Sequence, residues 1–354
     1  MRVGYMMMLA NLHEGMSDGE MLRNEMRIAA KAEEAGFDII WCPEHHFESY
    51  SMAVDNLQIL TWLAAKTDRI QLGSAALILP WWTQPIRLAE RIALLDAVSN
   101  GRYVVGFGRG LARKEFEAFG IPIEESRSRF DEMAKMLVGA LQTGYVESEG
   151  PHFPQARTEI RPRLSSSFQD RIYSVAMSSE SAKAIAQLDT RMMTFVQFSM
   201  ERLLPNIEIF RNEFQRVHGK SPQPTLLNDQ CYCHEDEDIV RKTAHKYLSA
   251  NYISILQHYE FMEDYHKELK GYETYGESAR FLNELGLENA VEDYISHQAW
   301  GTPDQILQKL DKRRNIVGDY EWNCTLSFGG LPYDSVEYSM KLIGEKVIPE
   351  LRDW

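Results

Sequence analysis

The segment that decides the fold is Asp38-Ile39-Ile40-Trp41-Cys42-Pro43-Glu44-His45-His46-Phe47. A short apolar run ends at Pro43 and is followed at once by a carboxylate, two adjacent imidazoles and an aromatic ring. This order is typical of a buried strand that delivers ionisable groups at its carboxyl end. Burying such groups is unfavourable unless they are paired or perform a function, so the segment is a candidate functional site.

The unit formed by this segment, a short apolar run and then a helical pattern, recurs along the chain. Alternation of strands and helices with short connections predicts a parallel sheet with helices outside it. The predicted strands span residues 3–9, 39–42, 70–79, 103–107, 172–176, 192–198, 226–233 and 324–328. The predicted helices span residues 19–35, 56–65, 129–141, 182–188, 200–218 and 335–348, with another that begins at Pro85. Eight strands predict an α/β fold, a (β/α)₈ TIM barrel, with residues 1–354 as a single domain.

Two long connections interrupt this alternation of strands and helices. Residues 144–170 are polar and contain prolines, which predicts a loop or an antiparallel excursion. About 90 residues, 234–323, separate the seventh and eighth strands. A connection of this length in a barrel is usually a functional lid or an interface element, so we predict a long insertion after strand 7 that acts as a mobile lid. The tyrosines of this insertion are Tyr247, Tyr252, Tyr259, Tyr265, Tyr272, Tyr275 and Tyr294.

Composition narrows the class of protein. The formal net charge is −14, and no basic tract is present, which disfavours nucleic-acid or anionic-membrane partners. In an extended strand, the two thiols of Cys231-Tyr232-Cys233 point to opposite faces, so reduced structural cysteines are favoured over a disulfide or a zinc site. No run approaches the ~18 apolar residues of a membrane span, and residues 3–9 are too short for a signal peptide. We therefore expect a soluble, cytoplasmic protein.

Three interpretations of His45 and His46 stay open on these residues alone. An imidazole has a pKa near the working pH and can act as a general acid or base. Metal ligation is the second interpretation, although neighbours in an extended chain point opposite ways and no HxH or HExxH spacing is present. The third is a pair of hydrogen-bonded polar groups at a strand end. The acid–base role is favoured because the carboxyl ends of barrel strands build the site.

Two further segments follow strands and suit a phosphate. Gly106-Phe107-Gly108-Arg109-Gly110 comes directly after the fourth strand, where glycines allow close backbone approach and an arginine can clamp a phosphate. Ser178-Ser179-Glu180-Ser181 follows the fifth strand and opens a helix, where hydroxyls and free amides suit the same group. A structural turn and a simple N-cap are the respective alternatives. Together, on neighbouring strands, the two segments suit one phosphate, as in a mononucleotide such as FMN.

A run of small residues, Ser74-Ala75-Ala76, lies within the third predicted strand, which is otherwise rich in Ile and Leu. Two small side chains there leave room for something flat against the backbone. The alternative is ordinary barrel packing, in which large and small residues alternate.

Taken together, these residues resemble the bacterial luciferase family of flavin-dependent monooxygenases, over nearly the whole chain. The motifs that carry the resemblance are Glu44-His45-His46-Phe47, Gly73-Ser74-Ala75-Ala76-Leu77-Ile78-Leu79-Pro80, Pro85-Ile86-Arg87-Leu88-Ala89-Glu90, Leu94-Leu95-Asp96, Ser99-Asn100-Gly101-Arg102, the stretch from Gly106 to Phe119-Gly120, and Gly301-Thr302-Pro303-Asp304. Each motif alone is common, whereas their combination is highly specific.

The resemblance implies a two-component monooxygenase that receives reduced FMN from a separate flavin reductase. Dioxygen would add at the flavin C4a position to give a peroxyflavin, which would oxidise a small organic substrate, free or tethered to a carrier protein. His45 matches the family's essential histidine, which implies a catalytic role. The positions that match cofactor-binding residues are Ala75, Ala76, Gly108, Arg109, Met177, Ser178 and Ser181. Among these, Ala75-Ala76 matches a non-prolyl cis peptide under the isoalloxazine, and Arg109, Ser178 and Ser181 match phosphate-binding positions.

The resemblance also implies a homodimer, because the helices after strands two and three would form a subunit interface. Two departures bear on the substrate: Gly108 stands where luciferase has a reactive cysteine, and Met177 stands where it has a glutamate. For that reason we expect neither oxidation of a long-chain aldehyde nor emission of light. The rival functions are a deazaflavin-dependent oxidoreductase on the same fold, a metal-dependent barrel hydrolase that uses His45 and His46, and a non-catalytic subunit of a luciferase-type heterodimer.

Overall fold

Eight parallel strands close into a barrel in the computed structural model, which describes residues 1–263 and 285–354. The strands are β1 (Val3–Met6), β2 (Ile39–Cys42), β3 (Gln71–Ser74), β4 (Tyr103–Gly108), β5 (Ile172–Val175), β6 (Arg191–Phe195), β7 (Thr225–Cys233) and β8 (Tyr320–Thr325). Each strand pairs with the next in this order, and β8 pairs with β1, so the sheet closes on itself. The predicted (β/α)₈ barrel is confirmed.

Helices surround the barrel and connect successive strands. They are α1 (Asp18–Lys31), α2 (Asn56–Ala64), α3 (Pro85–Val98), α4 (Arg113–Phe119), α5 (Ser126–Thr143), α6 (Ser179–Ile185), α7 (Met200–His218), α8 (Glu237–His258), α9 (Leu287–His297), α10 (Pro303–Val317), α11 (Tyr333–Leu342) and α12 (Ile348–Leu351). A π-helical turn, Ile343–Val347, joins the last two, and Leu79–Trp81 and Ile123–Glu125 are short 3₁₀ helices. The sequence pattern located α1, α2, α3, α5, α6, α7 and α11, whereas α4 and the three helices of the insertion, α8, α9 and α10, were not predicted.

Two predicted strands differ from the observed ones. The predicted strand 70–79 leaves the sheet after Ser74 and resumes as a short strand, Leu77–Ile78, paired with β4. The predicted strand 324–328 lies instead at Tyr320–Thr325. Its first half contains polar residues, so the apolar pattern did not indicate a strand there. One of them, Glu321, is paired with Arg2 and Arg191 and accepts a hydrogen bond from the Tyr173 hydroxyl (2.8 Å).

The interior of the barrel is filled below the strands' carboxyl ends. The inner cluster consists of Met6, Ile39, Trp41, Ala75, Val104, Tyr173, Met193 and Leu226. Trp41 is fully buried at its centre, and a Cβ atom added to Gly73 on the neighbouring strand would lie 2.2 Å from its ring. Glycine at position 73 is therefore required by the close approach of this indole. The packed layer fills the barrel below the carboxyl ends of the strands.

The two long connections have regular structure. Residues 144–170 contain an antiparallel hairpin of Tyr145–Ser148 and Gln155–Glu159, one of the two predicted alternatives. The insertion between β7 and β8 contains α8, α9, a short strand Ala299–Gly301 that pairs with β7, and α10. The predicted lid residues Tyr265, Tyr272 and Tyr275 lie outside the described residues.

The remaining whole-chain predictions concern cysteines and membrane spans. Cys42, Cys231, Cys233 and Cys324 are all free and buried, as predicted. Across residues 1–263 and 285–354, no helix has the length and apolar character needed to cross a bilayer.

Candidate active site

A large cavity opens at the carboxyl ends of the strands, where (β/α)₈ barrels place their active sites. It encloses about 1220 Å³, counted together with its opening to solvent. All eight strands or the loops after them contribute to its wall, with Met6, Glu44, Ala75, Gly108, Val175, Phe195, Asn228 and Thr325 among the lining residues.

One part of the cavity carries cations and a hydroxyl, and we call Arg109, Arg127 and Ser181 the anion end. Arg109 directly follows β4, and Ser181 lies in the first turn of α6, after β5; both line the cavity. Arg127, from the first turn of α5, donates from Nη2 to Oγ of Ser181 (3.2 Å). The positive charges of Arg127 and Arg109 both act on the Asp131 carboxyl and favour its ionised form, against the larger effect of burial, which raises the pKa of Asp131. Two guanidinium groups and a hydroxyl form a donor set that suits a phosphate.

Ser178 supports the anion end from behind. It caps α6, where its Oγ accepts from the backbone N–H of Ser181 (3.2 Å) and donates to Oγ of Ser181 (3.0 Å). Met177, just before it, has a backbone carbonyl that accepts from Nδ2 of Asn206 (3.3 Å). The thioether of Met177 accepts from the hydroxyl of Thr194 and lies 3.1 Å from it. Ser178 therefore fixes the hydroxyl of Ser181, and Met177 forms part of the cavity wall.

Small residues form another part of the wall, next to the anion end. The peptide bond between Ala75 and Ala76 is cis, and the Ala76 carbonyl accepts from Nδ2 of Asn56 (3.3 Å). A Cβ atom added to Gly108 would lie 2.8 Å from Cδ1 of Ile78 and 3.2 Å from Cβ of Ala76. Ile78 thus fills the space that a side chain at position 108 would need. A cysteine at position 108 would therefore require the end of the Ile78 side chain to move.

A third part of the cavity is built around His45, and we call His45, Glu115, His258 and Tyr259 the histidine wall. Nδ1 of His45 lies 3.2 Å from Oε1 of Glu115, and its Nε2 lies 3.4 Å from the Tyr259 hydroxyl. The His258 ring packs edge-on against His45, with 5.1 Å between the ring centroids. His45 follows β2, Glu115 lies in α4, and His258 and Tyr259 lie at the end of α8. Three separate elements therefore hold one imidazole.

His46 points away from His45, as the extended backbone predicted. Its ring packs against Trp81 and Phe119, and its Nε2 lies 3.6 Å from Oε1 of Glu44. Its backbone N–H donates to Oε1 of Glu115 (2.7 Å). The two adjacent histidines are therefore not placed to share a metal ion, which removes the geometric basis of the predicted hydrolase alternative.

A different trio approaches metal-like spacing: the ligand atoms of His45, Glu115 and His258 lie within 4.8 Å of one another. Within this trio, Oε1 of Glu115 already accepts from the His46 N–H and faces His45, and Nδ1 of His258 lies 2.6 Å from Oε2 of Glu48. Protein hydrogen bonds therefore account for Oε1 of Glu115 and Nδ1 of His258, whereas Nε2 of His258 lies 4.0 Å from Oε2 of Glu115 and has no hydrogen-bond partner among residues 1–263 and 285–354.

Burial controls the charge of several groups around the cavity. Burial, together with the smaller effect of the neighbouring His45, lowers the pKa of His258 to about 4, against the opposing effects of Glu115 and Glu48. Burial raises the pKa of Glu44, although its carboxylate accepts from the Ile78 N–H (2.8 Å). It also raises the pKa of the Tyr50 hydroxyl. His258 and Tyr50 are therefore uncharged at neutral pH, in a medium of low dielectric constant.

The insertion covers one side of the cavity with apolar and aromatic groups. Ile255, Tyr259, Phe261 and Tyr294 all line it. The Tyr294 hydroxyl donates to Oε1 of Gln230 on β7 (2.6 Å), and the Tyr294 ring stacks on Tyr252 at 4.2 Å. The described part of the insertion is thus fixed to the barrel at the cavity.

Seven of the eight predicted site residues line this single cavity, namely His45, Ala75, Ala76, Gly108, Arg109, Met177 and Ser181. The eighth, Ser178, is buried directly behind Ser181. Sequence reasoning missed Glu115, Arg127 and His258. Glu115 stands six positions after Arg109, within the motif from Gly106 to Gly120 that the sequence already indicated. No motif surrounds Arg127 or His258, because distant segments of the chain bring these two residues to the site.

Comparison with known proteins gives the same fold and a family. The model of the luciferase-like monooxygenase family matches residues 1–320. The alkanal monooxygenase alpha chain of Photorhabdus luminescens is 24% identical over 345 residues, which cover 95% of this chain and 94% of that protein.

Three solved structures share the architecture. Monooxygenase RslO1 from Streptomyces bottropensis superposes with a TM-score of 0.77 at 25% identity, and the match covers 99% of this chain and 100% of that one. The oxygenating constituent of 3,6-diketocamphane monooxygenase from Pseudomonas putida, solved with FMN, has a TM-score of 0.75 at 15% identity, with 99% of each chain covered. The coenzyme F420 dependent tetrahydromethanopterin reductase of Methanopyrus kandleri has a TM-score of 0.69 at 18% identity, again with 99% of each covered. The fold therefore serves both flavin and deazaflavin enzymes.

Proposed function

The chain belongs to the luciferase-like monooxygenase family, and from that premise we propose that it is a two-component flavin-dependent monooxygenase. It uses reduced FMN, supplied by a separate flavin reductase, together with dioxygen, and it oxidises a small organic substrate. The observation that carries this proposal is the meeting, in one cavity, of an anion end, a wall of small residues and an imidazole.

The residues present fit FMN. Arg109, Arg127 and Ser181 hold the phosphate, with Ser178 and the backbone of Met177 fixing the loop beside it. Ala75, Ala76 and Gly108 leave the space that a flat ring system needs. When bound, reduced FMN supplies the two electrons that activate dioxygen.

His45 is the catalytic residue in this proposal. It accepts and donates protons at the cavity wall. Where the substrate has an acidic proton or a carbonyl, His45 also acts on that group as a general acid or base. Glu115 orients the ring through Nδ1, at 3.2 Å, which leaves Nε2 on the side of Tyr259. General acid–base catalysis needs a fixed imidazole of this kind.

The aromatic side of the cavity supports an apolar or aromatic substrate. Tyr50, Ile255, Tyr259 and Phe261 line it and reduce the access of water to reactive groups. The insertion between β7 and β8, predicted from the sequence as residues 234–323, acts as the lid of a single-domain barrel. Because Gly108 and Met177 replace residues of the light-emitting enzymes, we propose a substrate other than a long-chain aldehyde and no light emission.

The surface of α2 and α3 supports a homodimer. Trp62 on α2, Leu94 and Val98 on α3, and Val54 just before α2 are large apolar residues that are between 42% and 56% exposed. Exposed apolar groups clustered on adjacent helices are typical of a protein interface. We also propose a cytoplasmic location, which the four buried free thiols support.

A deazaflavin-dependent oxidoreductase is the second candidate, favoured by the similarity of the fold to a coenzyme F420 dependent reductase. The test is an anaerobic titration of the isolated chain with reduced FMN and with a reduced deazaflavin, followed by mixing with dioxygen. We expect FMN to bind and oxygen to be consumed. Preferential binding of the deazaflavin without oxygen uptake would establish the second candidate, and binding of neither would indicate a non-catalytic subunit.

A further inference from the structure

The inner face of β7 presents two amides to the cavity, and we call Asn228 and Gln230 the amide pair. Side chains alternate along a strand, and both members of the pair line the cavity. Asp229, between them, is fully buried on the opposite face and pairs with Arg313 of α10. Gln230 is only half-buried, although its neighbours in the strand are fully buried, so the accessible part of its side chain faces the cavity.

Protein donors occupy the oxygen atoms of both amides. Oε1 of Gln230 accepts from the Tyr294 hydroxyl (2.6 Å). Oδ1 of Asn228 accepts from Nδ2 of Asn323 (2.8 Å) and from Oγ1 of Thr325 (3.5 Å). Within residues 1–263 and 285–354, the two NH₂ groups of the pair donate to no other residue. The pair therefore offers the cavity donors, which suit a ligand with an acceptor oxygen.

A buried network fixes the direction of the Gln230 amide. The Tyr294 hydroxyl accepts from Nδ2 of Asn251 (3.3 Å), which leaves its own proton for Gln230. Burial, and to a smaller extent the Tyr50 phenol, raises the pKa of Tyr294 well above its usual value, against the hydrogen bond from Asn251. The hydroxyl thus keeps its proton at neutral pH and donates. Because Asn251 lies in α8 and Tyr294 in α9, the insertion orients a donor that belongs to the barrel.

The amide pair lies across the barrel from the wall of small residues. In the closed order of eight strands, β7 is four strands away from β3 in either direction. Ala75 and Ala76 directly follow β3, so a flat ring against them turns its free face towards β7. The histidine wall borders the same space, since the Tyr50 ring packs edge-on against His45 at 5.1 Å and its phenol acts on Tyr294. The pair is therefore placed for a molecule that lies over the cofactor.

The charges around the cavity disfavour an anionic molecule in that space. Among the described residues that line the cavity, Arg109 is the only lysine or arginine, and it belongs to the anion end. Two carboxyl groups, those of Glu44 and Glu115, also line the cavity. A second anion would be transferred from water to a site without a cation for it, which is unfavourable. Neutral amide donors beside aromatic walls suit an uncharged acceptor instead.

We propose that Asn228 and Gln230 bind a carbonyl oxygen of the substrate, and that the substrate is an uncharged carbonyl compound with an apolar or aromatic body. This inference rests on the proposed function, whose substrate it narrows. A site built to hydrogen-bond one group discriminates against analogues that lack it, because its polar atoms are then left unpaired. Gln230 is thus a specificity-determining residue, and Tyr294 is a positioning residue that acts through it.

The test compares three naphthalenes of similar size by equilibrium dialysis against the full chain saturated with oxidised FMN. They are 2-acetylnaphthalene, a ketone; 2-ethylnaphthalene, in which a methylene group replaces the carbonyl; and 2-naphthoate, an anion. Chromatography measures the bound amount of each. We expect the ketone to bind and the carboxylate to bind at least about tenfold more weakly, since an unpaired charge is disfavoured in the cavity.

Gln230→Met keeps the size of the side chain and removes its donors. Loss of one hydrogen bond between uncharged groups should raise the Kd for 2-acetylnaphthalene about 3- to 10-fold, whereas the Kd for 2-ethylnaphthalene should stay within about twofold. Tyr294→Phe keeps the ring that stacks on Tyr252 and should reduce the preference for the ketone in the same direction. A merely structural defect would weaken both ligands alike. The matched control is Gln257→Met, since Gln257 is exposed on α8.

The outcomes separate this inference from the proposed function. Equal loss of the ketone and the hydrocarbon in Gln230→Met, or a carboxylate that binds as tightly as the ketone, overturns the inference. If Gln230→Met weakens FMN and riboflavin alike, the amide serves the flavin and the inference is again wrong. If FMN binds and the ketone does not, the inference fails while the function stands. If FMN does not bind, the function fails, and dialysis of the ketone without flavin still decides the role of the amide pair.

Discussion

The anion end and the histidine wall belong to the same cavity but are assembled in different ways. Arg109 and Ser181 each follow their own strand, β4 and β5, which are neighbours in the barrel. The histidine wall joins residues far apart in sequence: His45 follows β2, and His258 ends a helix of the insertion after β7. The first region depends on the barrel alone, whereas the second exists only when the insertion has docked.

This difference separates binding from chemistry. The anion end is polar and positive and suits one group of a ligand, so changes there should alter affinity. The histidine wall is nearly closed to solvent, and its groups exchange protons, so changes there should alter turnover. Variants that change the affinity for FMN without changing turnover, or turnover without changing affinity, test whether the two regions are independent.

The largest effect is expected for His45→Ala. Loss of a positioned general acid or base usually lowers a rate by about 10²- to 10⁴-fold, and we expect the yield of oxidised substrate to fall at least 100-fold. Affinity for FMN should change by less than about threefold, because the phosphate contacts are intact. Product yield and a flavin titration measure the two quantities.

The control for this variant is its neighbour, His46→Ala. His46 packs on Trp81 and Phe119, away from the cavity wall, so its loss should lower stability more than turnover. If His46→Ala abolishes turnover in correctly folded protein while His45→Ala does not, the roles of the two histidines are reversed.

The same contrast explains how much could be predicted from the sequence. The strand Ile39–Cys42 and the motif around Arg109 were located correctly, because an apolar run and the residues directly after it determine both. The contact between Glu48 and His258 joins positions 210 apart in sequence, and only tertiary packing creates it. Arg127 stands two residues before Arg129 on α5, and composition cannot say which of them contacts Ser181.

A second effect, on stability, should be confined to the histidine wall. The pKa of His258 is about 4 in the folded protein, where burial disfavours the charged ring, against about 6.5 when unfolded. Between these values the unfolded chain binds more protons, so the free energy of unfolding is greatest above pH 6.5 and decreases as the pH falls towards 4. The expected contribution of His258 to this loss is up to about 3 kcal/mol.

Urea unfolding of the unmodified protein and of His258→Gln at a series of pH values measures this contribution. The difference between their unfolding midpoints should shrink as the pH falls from 7 to 4, since only the unmodified protein has to protonate a buried imidazole. His245→Gln, on the same helix but with a side chain 40% exposed, should follow the unmodified protein. A difference that does not depend on pH means that His258 contributes packing only.

The third and smallest effect is a loss of FMN affinity when the anion end is changed. Arg127, which belongs to the anion end, and Arg129, which does not, form a matched pair for this test. Both lie on α5, with side chains 21% and 19% exposed, but Arg127 donates to Ser181 at the cavity, whereas Arg129 pairs with Glu125. A hydrogen bond to a charged group contributes about 1.5–3 kcal/mol, so Arg127→Gln should raise the Kd for FMN about 10- to 100-fold. Arg129→Gln should leave it within about twofold.

Riboflavin, which lacks the phosphate, makes the Arg127 prediction specific. If Arg127 acts on the phosphate, Arg127→Gln should weaken the binding of FMN and leave the binding of riboflavin unchanged, and added salt should reduce the difference between the two ligands. Asp131, 3.7 Å from Arg127, gives an independent check, because Asp131→Asn removes a competing negative charge and should strengthen FMN binding alone. Equal weakening of both flavins in Arg127→Gln would mean that the guanidinium supports the loop rather than the phosphate. The anion end would then rest on Arg109 and Ser181, the two members that follow directly from the strands.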